Sequence, residues 1–268
     1  MTTDKKITVK TIISRKLTGE KITALTAYDY TMASILDDSG IDIILVGDSA
    51  GNVIAGYDTT HPVSMDEMIY HTRCVRKGVK RALLVVDMPF LSFQCGIDEA
   101  IYNAGLFLKA GAEAVKLEGG EEIFDIVKNL NDFGIPVMGH LGLLPQSVHK
   151  LGGYAIQAND EKNGKKLLED AKYLEKAGAF SIILEKIPEI RAREITEKIS
   201  IPTIGIGAGR YCDGQILVLY DLLGLTENFN PRYLRKYADF AGEMRKAFKN
   251  FIEDVKNGNY PSEKEVYK

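Results

Sequence analysis

Short apolar runs alternate with longer amphipathic segments along most of the chain. Eight runs are rich in branched apolar residues and end at polar residues or glycines, which is typical of β-strands; they span 22–29, 41–49, 82–89, 112–120, 135–142, 179–187, 201–209 and 215–224. Several are apolar throughout, as expected of parallel strands covered on both faces. Helix-length segments separate most of them, at 30–39, 64–80, 98–110, 120–133, 161–177 and 188–199. This order predicts an α/β fold, a (β/α)8 TIM barrel.

An internal echo supports the barrel and relates two of its strands. The stretch KAGAEAVKLE at 109–118 resembles KAGAFSIILE at 176–185. Each stretch reads as the end of a helix, a glycine turn, a strand and an acid. The echo therefore predicts that Glu118 and Glu185 end equivalent strands, two βα units apart.

Length and composition are compatible with one large domain. The chain has 268 residues, of which 45% are hydrophobic, so it can bury a core of barrel size. No linker or low-complexity stretch divides it. We predict a single (β/α)8 barrel domain over 1–268, with residues 232–268 forming a helical C-terminal extension.

Charge and cysteine content argue against several classes of protein. The net charge is -3 at pH 7 and no basic block occurs, so nothing indicates a nucleic-acid partner. No apolar run approaches the roughly 18 residues of a membrane span, and the N-terminus lacks a signal-peptide core. Cys74, Cys95 and Cys212 show no CxxC spacing, which favours a reducing compartment, and we expect Cys95 and Cys212 to be packing residues. These features predict a cytoplasmic protein that contacts neither nucleic acid nor membrane.

Acidic residues recur at the ends of the predicted strands. The carboxyl ends of barrel strands form one face, where active sites of this fold lie. The side chains expected to converge there are Asp48, Asp87, Glu118 and Glu185, joined by Ser49, Lys116 and His140.

Carboxylates that share a cavity repel one another, and a cation relieves that repulsion. Oxygen ligands without a nearby Cys/His set favour Mg²⁺ over zinc. Mg²⁺ held by two or three carboxylates can chelate an α-keto acid and make the neighbouring carbon acidic. Glu185 is then the candidate base, and Lys116 can neutralise the substrate carboxylate or a developing enolate.

Each of these residues also has a purely structural interpretation. Asp48 and Ser49 suit a turn or a helix N-cap. Lys116 and Glu118 lie two apart on one strand, so they share a face and could form an interior salt bridge. His140 at a strand end could be a hydrogen-bonded structural residue.

The remaining motifs are weaker. The glycines of GIGAGR at 205–210 could bind an anion through backbone N–H groups, or could form a bend at the barrel rim. Three further histidines show no informative spacing and are expected to be surface or structural residues; they are His61, His71 and His149.

Taken in order, the motifs resemble those of the ketopantoate hydroxymethyltransferases, also called 3-methyl-2-oxobutanoate hydroxymethyltransferases. The matching stretches extend over nearly the whole chain. They are TAYDY (26–30), LVGDSAGNV (45–53), VVDMPF (85–90), VKLEGG (115–120), GHLGLLPQSV (139–148), GGY (152–154), LEKIP (184–188) and IGIGAGRYCDGQILV (204–218).

The resemblance implies a TIM barrel enzyme that transfers a hydroxymethyl group from 5,10-methylenetetrahydrofolate to 3-methyl-2-oxobutanoate. The products would be 2-dehydropantoate and tetrahydrofolate, in pantothenate biosynthesis. The implied path is a Mg-stabilised enolate, with Glu185 as the proton acceptor. The resemblance also implies a homo-oligomer, in many members a decamer.

The same resemblance assigns roles to the residues at the strand ends. One Mg²⁺ per subunit would be ligated by Asp48 and Asp87, with Glu118 at the metal directly or through water. The keto-acid contacts would be Asp48, Ser49, Asp87, Lys116 and His140. For the folate, the resemblance gives only two candidate neighbours of the pterin, Tyr28 and the GIGAGR turn.

Two rival interpretations deserve comparison. The phosphoenolpyruvate mutase and isocitrate lyase group resembles this prediction in using a Mg²⁺-bound enolate on a similar barrel, but its cysteine-bearing KKCGH-type loop is absent from this sequence. A non-catalytic metabolite sensor could retain the pocket, but binding alone does not require Glu185.

Overall fold

Eight parallel strands close into a barrel in the computed structural model, which describes residues 5–267. Neighbouring strands follow one another in chain order, and the last pairs with the first, which confirms the predicted (β/α)8 TIM barrel. The strands are β1 (Ile22–Thr26), β2 (Ile43–Val46), β3 (Leu83–Asp87), β4 (Ala114–Glu118), β5 (Val137–Gly142), β6 (Ser181–Glu185), β7 (Thr203–Ile206) and β8 (Gly214–Leu217).

The predicted helices all occur between these strands. The helices of the barrel unit are α1 (Val9–Thr18), α2 (Tyr30–Asp38), α3 (Ala50–Val53), α4 (Met65–Gly78), α5 (Ile97–Ala110), α6 (Phe124–Asp132), α7 (Val148–Leu151), α8 (Glu161–Lys176) and α9 (Glu189–Lys198). Two 3-10 turns, Glu121–Ile123 and Pro145–Ser147, precede α6 and α7. Residues 207–213 join β7 to β8 without a helix. Among residues 5–267, no helix combines the length and apolar character that crossing a bilayer requires.

Helix α1 was not predicted from the sequence. Thr8 begins it through a capping box with Thr11, each side chain accepting from the other residue's backbone. The only apolar side chain that α1 buries fully is Ile12, so the segment shows a weak helical stripe. Ile12 and the preceding Ile7 belong to the core cluster inside the barrel, and their burial stabilises α1 there.

Inward-facing positions change from apolar to charged along the strands. On β3, Leu83 and Val85 belong to the core cluster, and Asp87 continues the same face because strand side chains alternate with a period of two. On β4, Ala114 is followed in the same way by Lys116 and Glu118. The same change from a core residue to a polar one occurs on β5 from Met138 to His140 and on β6 from Ile183 to Glu185. The barrel therefore has an apolar interior and a charged C-terminal end, which we call the mouth.

A second compact unit begins at Leu219, directly after the barrel unit. It contains α10 (Leu219–Leu222) and α11 (Phe240–Lys256). The Tyr237 N–H donates to the Leu222 carbonyl, and an ion pair joins Arg245 to Glu227. The predicted helical extension, 232–268, falls within this unit, and its long helix begins later than the sequence suggested. That the two units fold as one domain stays a prediction.

The three cysteines are free thiols. Cys212 is 1% exposed, in agreement with the expectation that it is a packing residue. Cys95 is exposed, so the same expectation was wrong there. Cys95 lies in the loop between β3 and α5, where the sequence shows no periodicity from which burial could be predicted.

Candidate active site

All the predicted site residues lie at the mouth, and all but Ser49 contact one another through their polar atoms. Six of them, which we call the mouth cluster, each have a polar atom within 3.5 Å of another member: Asp48, Asp87, Lys116, Glu118, His140 and Glu185. The first five are at most 7% exposed, and the Glu185 side chain is 17% exposed. Side chains from β2 to β6 therefore converge on one small volume, as the strand-end pattern predicted.

Asp87 and Lys116 form the buried ion pair of the cluster. They face each other across the β3–β4 register, and Lys116 Nζ lies 2.7 Å from Asp87 Oδ1. Burial alone would lower the pKa of Lys116, but the carboxylates of Asp87 and Glu118 outweigh it and raise that pKa. Lys116 is thus a fixed cation, and its partner is on the adjacent strand rather than on its own.

The surroundings of Asp48 disfavour its ionised form. Its backbone N–H donates to Asp87 Oδ2 at 3.0 Å, which brings the two aspartates together. Burial, followed by repulsion from Asp87 and Glu118, raises the pKa of Asp48 well above its usual range. A carboxylate that serves only a turn would sit beside backbone donors or solvent, so the turn interpretation does not account for this environment.

Ser49 occupies the N-cap position of α3, but its side chain makes no capping hydrogen bond. Its hydroxyl lies 2.9 Å from the Tyr28 hydroxyl instead. Tyr28 is 1% exposed, and its carbonyl oxygen accepts from His71 Nδ1 at 2.7 Å. Burial gives Tyr28 almost no surface on which a pterin could stack, and its hydroxyl supports Ser49. That Tyr28 neighbours the pterin stays a prediction.

His140 bridges two carboxylates. Its Nδ1 lies 3.5 Å from Glu118 Oε1, and its Nε2 lies 3.2 Å from Glu185 Oε2. Burial and the charge of Lys116 lower the pKa of His140, but Glu118 and Glu185 more than offset them and raise it to about 9. At neutral pH His140 is therefore an imidazolium that holds both glutamates.

Glu185 is fixed by the close approach of two strand ends. Gly142 pairs with it in the β5–β6 register, and the Leu143 N–H donates to the Glu185 carbonyl at 2.9 Å. A Cβ on Gly142 would lie 2.2 Å from that carbonyl oxygen, and φ at Gly142 is +96°. Only glycine fits this position, because both the backbone conformation and the lack of space exclude a side chain.

Gln146 is a site residue that the sequence did not single out. It is 5% exposed, its side-chain N–H donates to Asp48 Oδ2 at 2.9 Å, and its backbone N–H donates to Glu118 Oε2 at 3.0 Å. A possible signal was the polar residue after Leu143-Leu144-Pro145, close behind a predicted strand end. Periodicity gives no direction to a side chain in such a turn, so its inward orientation could not be predicted.

His61 and His149, expected to be surface or structural residues, make structural contacts beside Gln146. Their rings stack with centroids 4.9 Å apart, and His61 packs edge-on against Phe90 at 4.7 Å. His61 Nε2 lies 2.9 Å from the Gln146 carbonyl oxygen. These contacts join the loops after β2, β3 and β5.

The GIGAGR segment forms polar contacts with Glu189 at the start of α9. The backbone N–H and the side-chain Nε of Arg210 both donate to Glu189 Oε1, at 3.2 and 3.0 Å. A Cβ on Gly209 would lie 2.4 Å from the Glu189 side chain. The turn's own carboxylate partner favours the rim-bend interpretation over an anion site.

The charge balance of the mouth cluster fits a divalent cation. Its four carboxylates face one lysine ammonium and one imidazolium, which leaves two negative charges when all are ionised. Within the described residues, no three or more His, Cys, Asp and Glu side chains form a ready-made metal cage. Mg²⁺ commonly takes one or two carboxylates and completes its shell with water and substrate. Asp48 and Asp87, which are in contact, fit that mode.

Comparison with known proteins gives a consistent answer. The family model described as ketopantoate hydroxymethyltransferase matches residues 6–263. A 3-methyl-2-oxobutanoate hydroxymethyltransferase of Christiangramia forsetii is 54% identical over 264 residues, covering 98% of this chain and 97% of the relative. The protein of the same name from Caldicellulosiruptor bescii is 51% identical over 262 residues, covering 98% and 99%.

Solved structures extend the likeness of fold. A phosphonopyruvate hydrolase in complex with oxalate and Mg²⁺ superimposes with a TM-score of 0.63 at 14% identity, covering 96% of this chain and 92% of that one. A 2,3-dimethylmalate lyase, a member of the PEP mutase/isocitrate lyase superfamily, gives 0.60 at 14% identity, covering 97% and 91%. At such identity these structures support the barrel architecture alone.

Proposed function

This chain belongs to the ketopantoate hydroxymethyltransferase family, and we propose that it transfers a hydroxymethyl group from 5,10-methylenetetrahydrofolate to 3-methyl-2-oxobutanoate. The products are 2-dehydropantoate and tetrahydrofolate, which places the enzyme in pantothenate biosynthesis. The relatives' names support the hydroxymethyltransferase activity and the keto acid. The observation that carries the finer proposal is the mouth cluster, a buried set of two cations and four carboxylates.

The keto acid binds where Lys116 and Ser49 face the mouth. Its carboxylate needs a fixed cation, and Lys116 is held in place by its 2.7 Å ion pair with Asp87. Ser49 offers a hydroxyl positioned by Tyr28. His140 adds a second positive charge on the same side of the barrel. This set suits a small planar anion that develops further negative charge during reaction.

Asp48 and Asp87 are the residues that would hold one Mg²⁺ per subunit. The raised pKa of Asp48 supports this assignment, because a cation there would relieve the repulsion from Asp87 and Glu118. Glu118 would support the ion through water, since its oxygens already accept from Gln146 and face His140. When bound, Mg²⁺ would polarise the keto group and so make the C3 proton of the keto acid more acidic.

Glu185 accepts the C3 proton in this proposal. The contact with His140 orients its carboxylate, because His140 Nε2 lies 3.2 Å from Oε2. The hydrogen bond from the Leu143 N–H to the Glu185 carbonyl, and the close approach of Gly142 to that carbonyl, fix its backbone. Glu185 is the most exposed acid of the mouth cluster, so a substrate entering from solvent can reach it. The deprotonated carbon then forms a C–C bond to the methylene carbon of the folate as one of that carbon's two C–N bonds breaks. Water replaces the remaining C–N bond, which gives the hydroxymethyl group of the product and releases tetrahydrofolate.

Proton NMR of 3-methyl-2-oxobutanoate in deuterated buffer tests this chemistry without the folate. We expect the wild-type protein to exchange the C3 proton, faster with Mg²⁺ than without it. Glu185→Gln should lower the exchange rate by about 100-fold or more, since it removes the base, while Mg²⁺ and keto-acid binding stay nearly intact.

Glu189→Gln is the matched control, because Glu189 is at the start of the next helix and pairs with Arg210 at the rim. It should exchange at the wild-type rate. Exchange retained in Glu185→Gln would remove Glu185 as the base, and no exchange by the wild type would count against the proposed function.

We further propose that the protein is a cytoplasmic homo-oligomer, a decamer as the family resemblance implies. Ten copies of the 29.7 kDa chain would have a mass of about 297 kDa. Light scattering coupled to size-exclusion chromatography measures this directly. A mass near that of one chain would contradict the assembly and leave the chemistry of the mouth untouched.

A further inference from the structure

We propose that Gln146 is a positioning residue of the keto-acid site, holding the Asp48 carboxylate in its binding orientation through the side-chain amide. The inference rests on the proposed function, because it concerns the same site. Gln146 is buried, and its amide nitrogen lies 2.9 Å from Asp48 Oδ2.

The surroundings fix which end of the amide faces Asp48. The same nitrogen lies 2.9 Å from the carbonyl oxygen of Met88, a group that can only accept. On the other side, the Gln146 amide oxygen lies 3.3 Å from the side-chain nitrogen of Gln94. A flipped amide would place oxygen against oxygen at Met88 and nitrogen against nitrogen at Gln94. The orientation in which Gln146 donates to Asp48 is therefore the one that satisfies all three neighbours.

A neutral donor has a particular advantage at this position. Asp48 must remain negative to attract a cation, yet its neighbours Asp87 and Glu118 repel it. A lysine or arginine here would cancel the charge that a cation needs. The Gln146 amide orients one oxygen of the carboxylate without adding charge, and leaves the net charge of the mouth cluster unchanged.

Gln146 joins two strands of the site at once. Its side chain holds Asp48, which follows β2, while its backbone N–H donates to Glu118 Oε2 at the end of β4. Its own backbone is held from a third direction, because His61 Nε2 lies 2.9 Å from the Gln146 carbonyl oxygen. The His61 ring is in turn fixed between Phe90 and His149. These contacts leave the amide little freedom to turn away from Asp48.

The test compares three variants by C3 exchange kinetics and by calorimetric titration with Mg²⁺ alone. Gln146→Met keeps the length of the side chain and removes its donors. It should raise KM for the keto acid, and weaken Mg²⁺ binding, by about tenfold or more, the effect of losing a hydrogen bond to a charged group. The kcat for exchange should stay within about threefold, because the contact between Glu185 and His140 is untouched.

His61→Phe and Gln157→Met complete the comparison. His61→Phe keeps the ring stacking and removes the bond to the Gln146 carbonyl, together with a 3.3 Å contact between His61 Nδ1 and Thr59 Oγ1. It should raise KM by a smaller factor than Gln146→Met, because the Gln146 amide is retained. Gln157→Met is the matched control, since among residues 5–267 the Gln157 side-chain amide donates to the carbonyl of Ala155 in its own segment and not to the site. It should leave KM, kcat and Mg²⁺ binding unchanged.

Several outcomes would overturn the inference. An unchanged KM in Gln146→Met, or a fall in kcat with KM constant, would show that Gln146 does not act through Asp48. If that variant does not fold, an unchanged KM in His61→Phe decides against the proposal. If the wild-type protein exchanges the C3 proton normally and the variants give one of these contrary results, only the role of Gln146 is refuted. If the wild-type protein shows no exchange, the proposed function is refuted.

Discussion

At the scale of single residues, the site is produced by one regularity of β-strands. Leu83, Val85 and Asp87 point to the same face of β3, so an apolar interior and a charged mouth follow from which residue occupies each second position. The charge is placed where burial makes it costly. Asp48 shows that cost most clearly, since burial, Asp87 and Glu118 all raise its pKa.

Asp48→Asn should therefore change stability and binding in opposite directions. The raised pKa of Asp48 means that its ionisation destabilises the fold once the pH exceeds about 4, the pKa of an aspartate in the unfolded chain. Without metal, the variant should melt a few degrees above the wild type at pH 7, and this difference should disappear below pH 4. It should also bind keto acid more weakly in the presence of Mg²⁺.

Scanning calorimetry across pH and titration calorimetry with and without Mg²⁺ measure the two effects. Equal melting temperatures of the wild type and Asp48→Asn at pH 7 would show that the ionisation of Asp48 does not destabilise the fold. Unchanged keto-acid affinity, with and without Mg²⁺, would remove Asp48 from the metal site.

The sequence could predict the residues that lie on strands and not those that lie on turns. Asp87, Lys116 and Glu118 belong to apolar runs with a fixed alternation, so their common direction followed from the fold. Gln146 lies in a 3-10 turn and His61 in a loop, where direction depends on tertiary contacts such as the bond between them. Nothing in the local sequence encodes that bond.

At the scale of elements, the order of strands and helices was predicted correctly, and the positions of their first and last residues were predicted less accurately. The predicted helix at 161–177 differs from α8 by one residue at its C-terminal end, and that at 188–199 differs from α9 by one residue at each end. The predicted first and last strands, 22–29 and 215–224, extend beyond β1 and β8. Apolar residues continue past these strand ends into loops and α10, and composition alone does not mark where pairing stops.

The junction of β5 and β6 gives an element-scale prediction. Gly142→Ala should lower the melting temperature and reduce C3 exchange by about tenfold or more, because the new Cβ would displace the Glu185 backbone. Gly152→Ala is a matched control: φ there is +73°, but no atom lies within 4 Å of the added Cβ. It should cost about 1 kcal/mol of stability from backbone strain and leave exchange unchanged. Similar losses of exchange in both variants would contradict the account of Gly142.

At the scale of the whole barrel, the two ends differ in how far their acidic residues are paired with cations. At the mouth, four carboxylates exceed the available cations. At the other end, acids are paired: Asp42 with Arg15 at 2.5 Å and Arg81 at 3.3 Å, and Asp213 with Lys16 at 2.9 Å. In this fold the end opposite the active site contributes to stability, and the pairing is consistent with that division.

Asp42→Ala should destabilise the barrel without changing the chemistry. It leaves the buried guanidinium of Arg15 without its principal partner, a loss of about 3 kcal/mol or more. Burial raises the pKa of Asp42, but Arg15 and Thr23 outweigh it and lower that pKa, so its stabilisation is present above about pH 4 and lost in more acidic solution. The stability gap from the wild type should shrink below pH 4, and kcat and KM for exchange should be unchanged.

Glu161→Ala removes an acid from an exposed ion pair with Arg191 and should leave the melting temperature nearly unchanged. A loss of stability in this control as large as that of Asp42→Ala would show that burial of the pair is not what matters. Thermal melting at pH 3, 5 and 7 is sufficient for both variants.

The apolar layer beneath the mouth limits where the abstracted proton can go. The next inward residue below Glu185 is Ile183, which pairs with Ile204 on β7, and both belong to the apolar core cluster. Among the described residues, these two positions offer no group that could relay a proton down the barrel axis. The proton must leave through the opening by which the substrate enters. A folate bound over that opening would hinder exchange of the abstracted proton with solvent and favour its return to C3. The rate of C3 exchange with solvent should therefore fall as the folate saturates the enzyme.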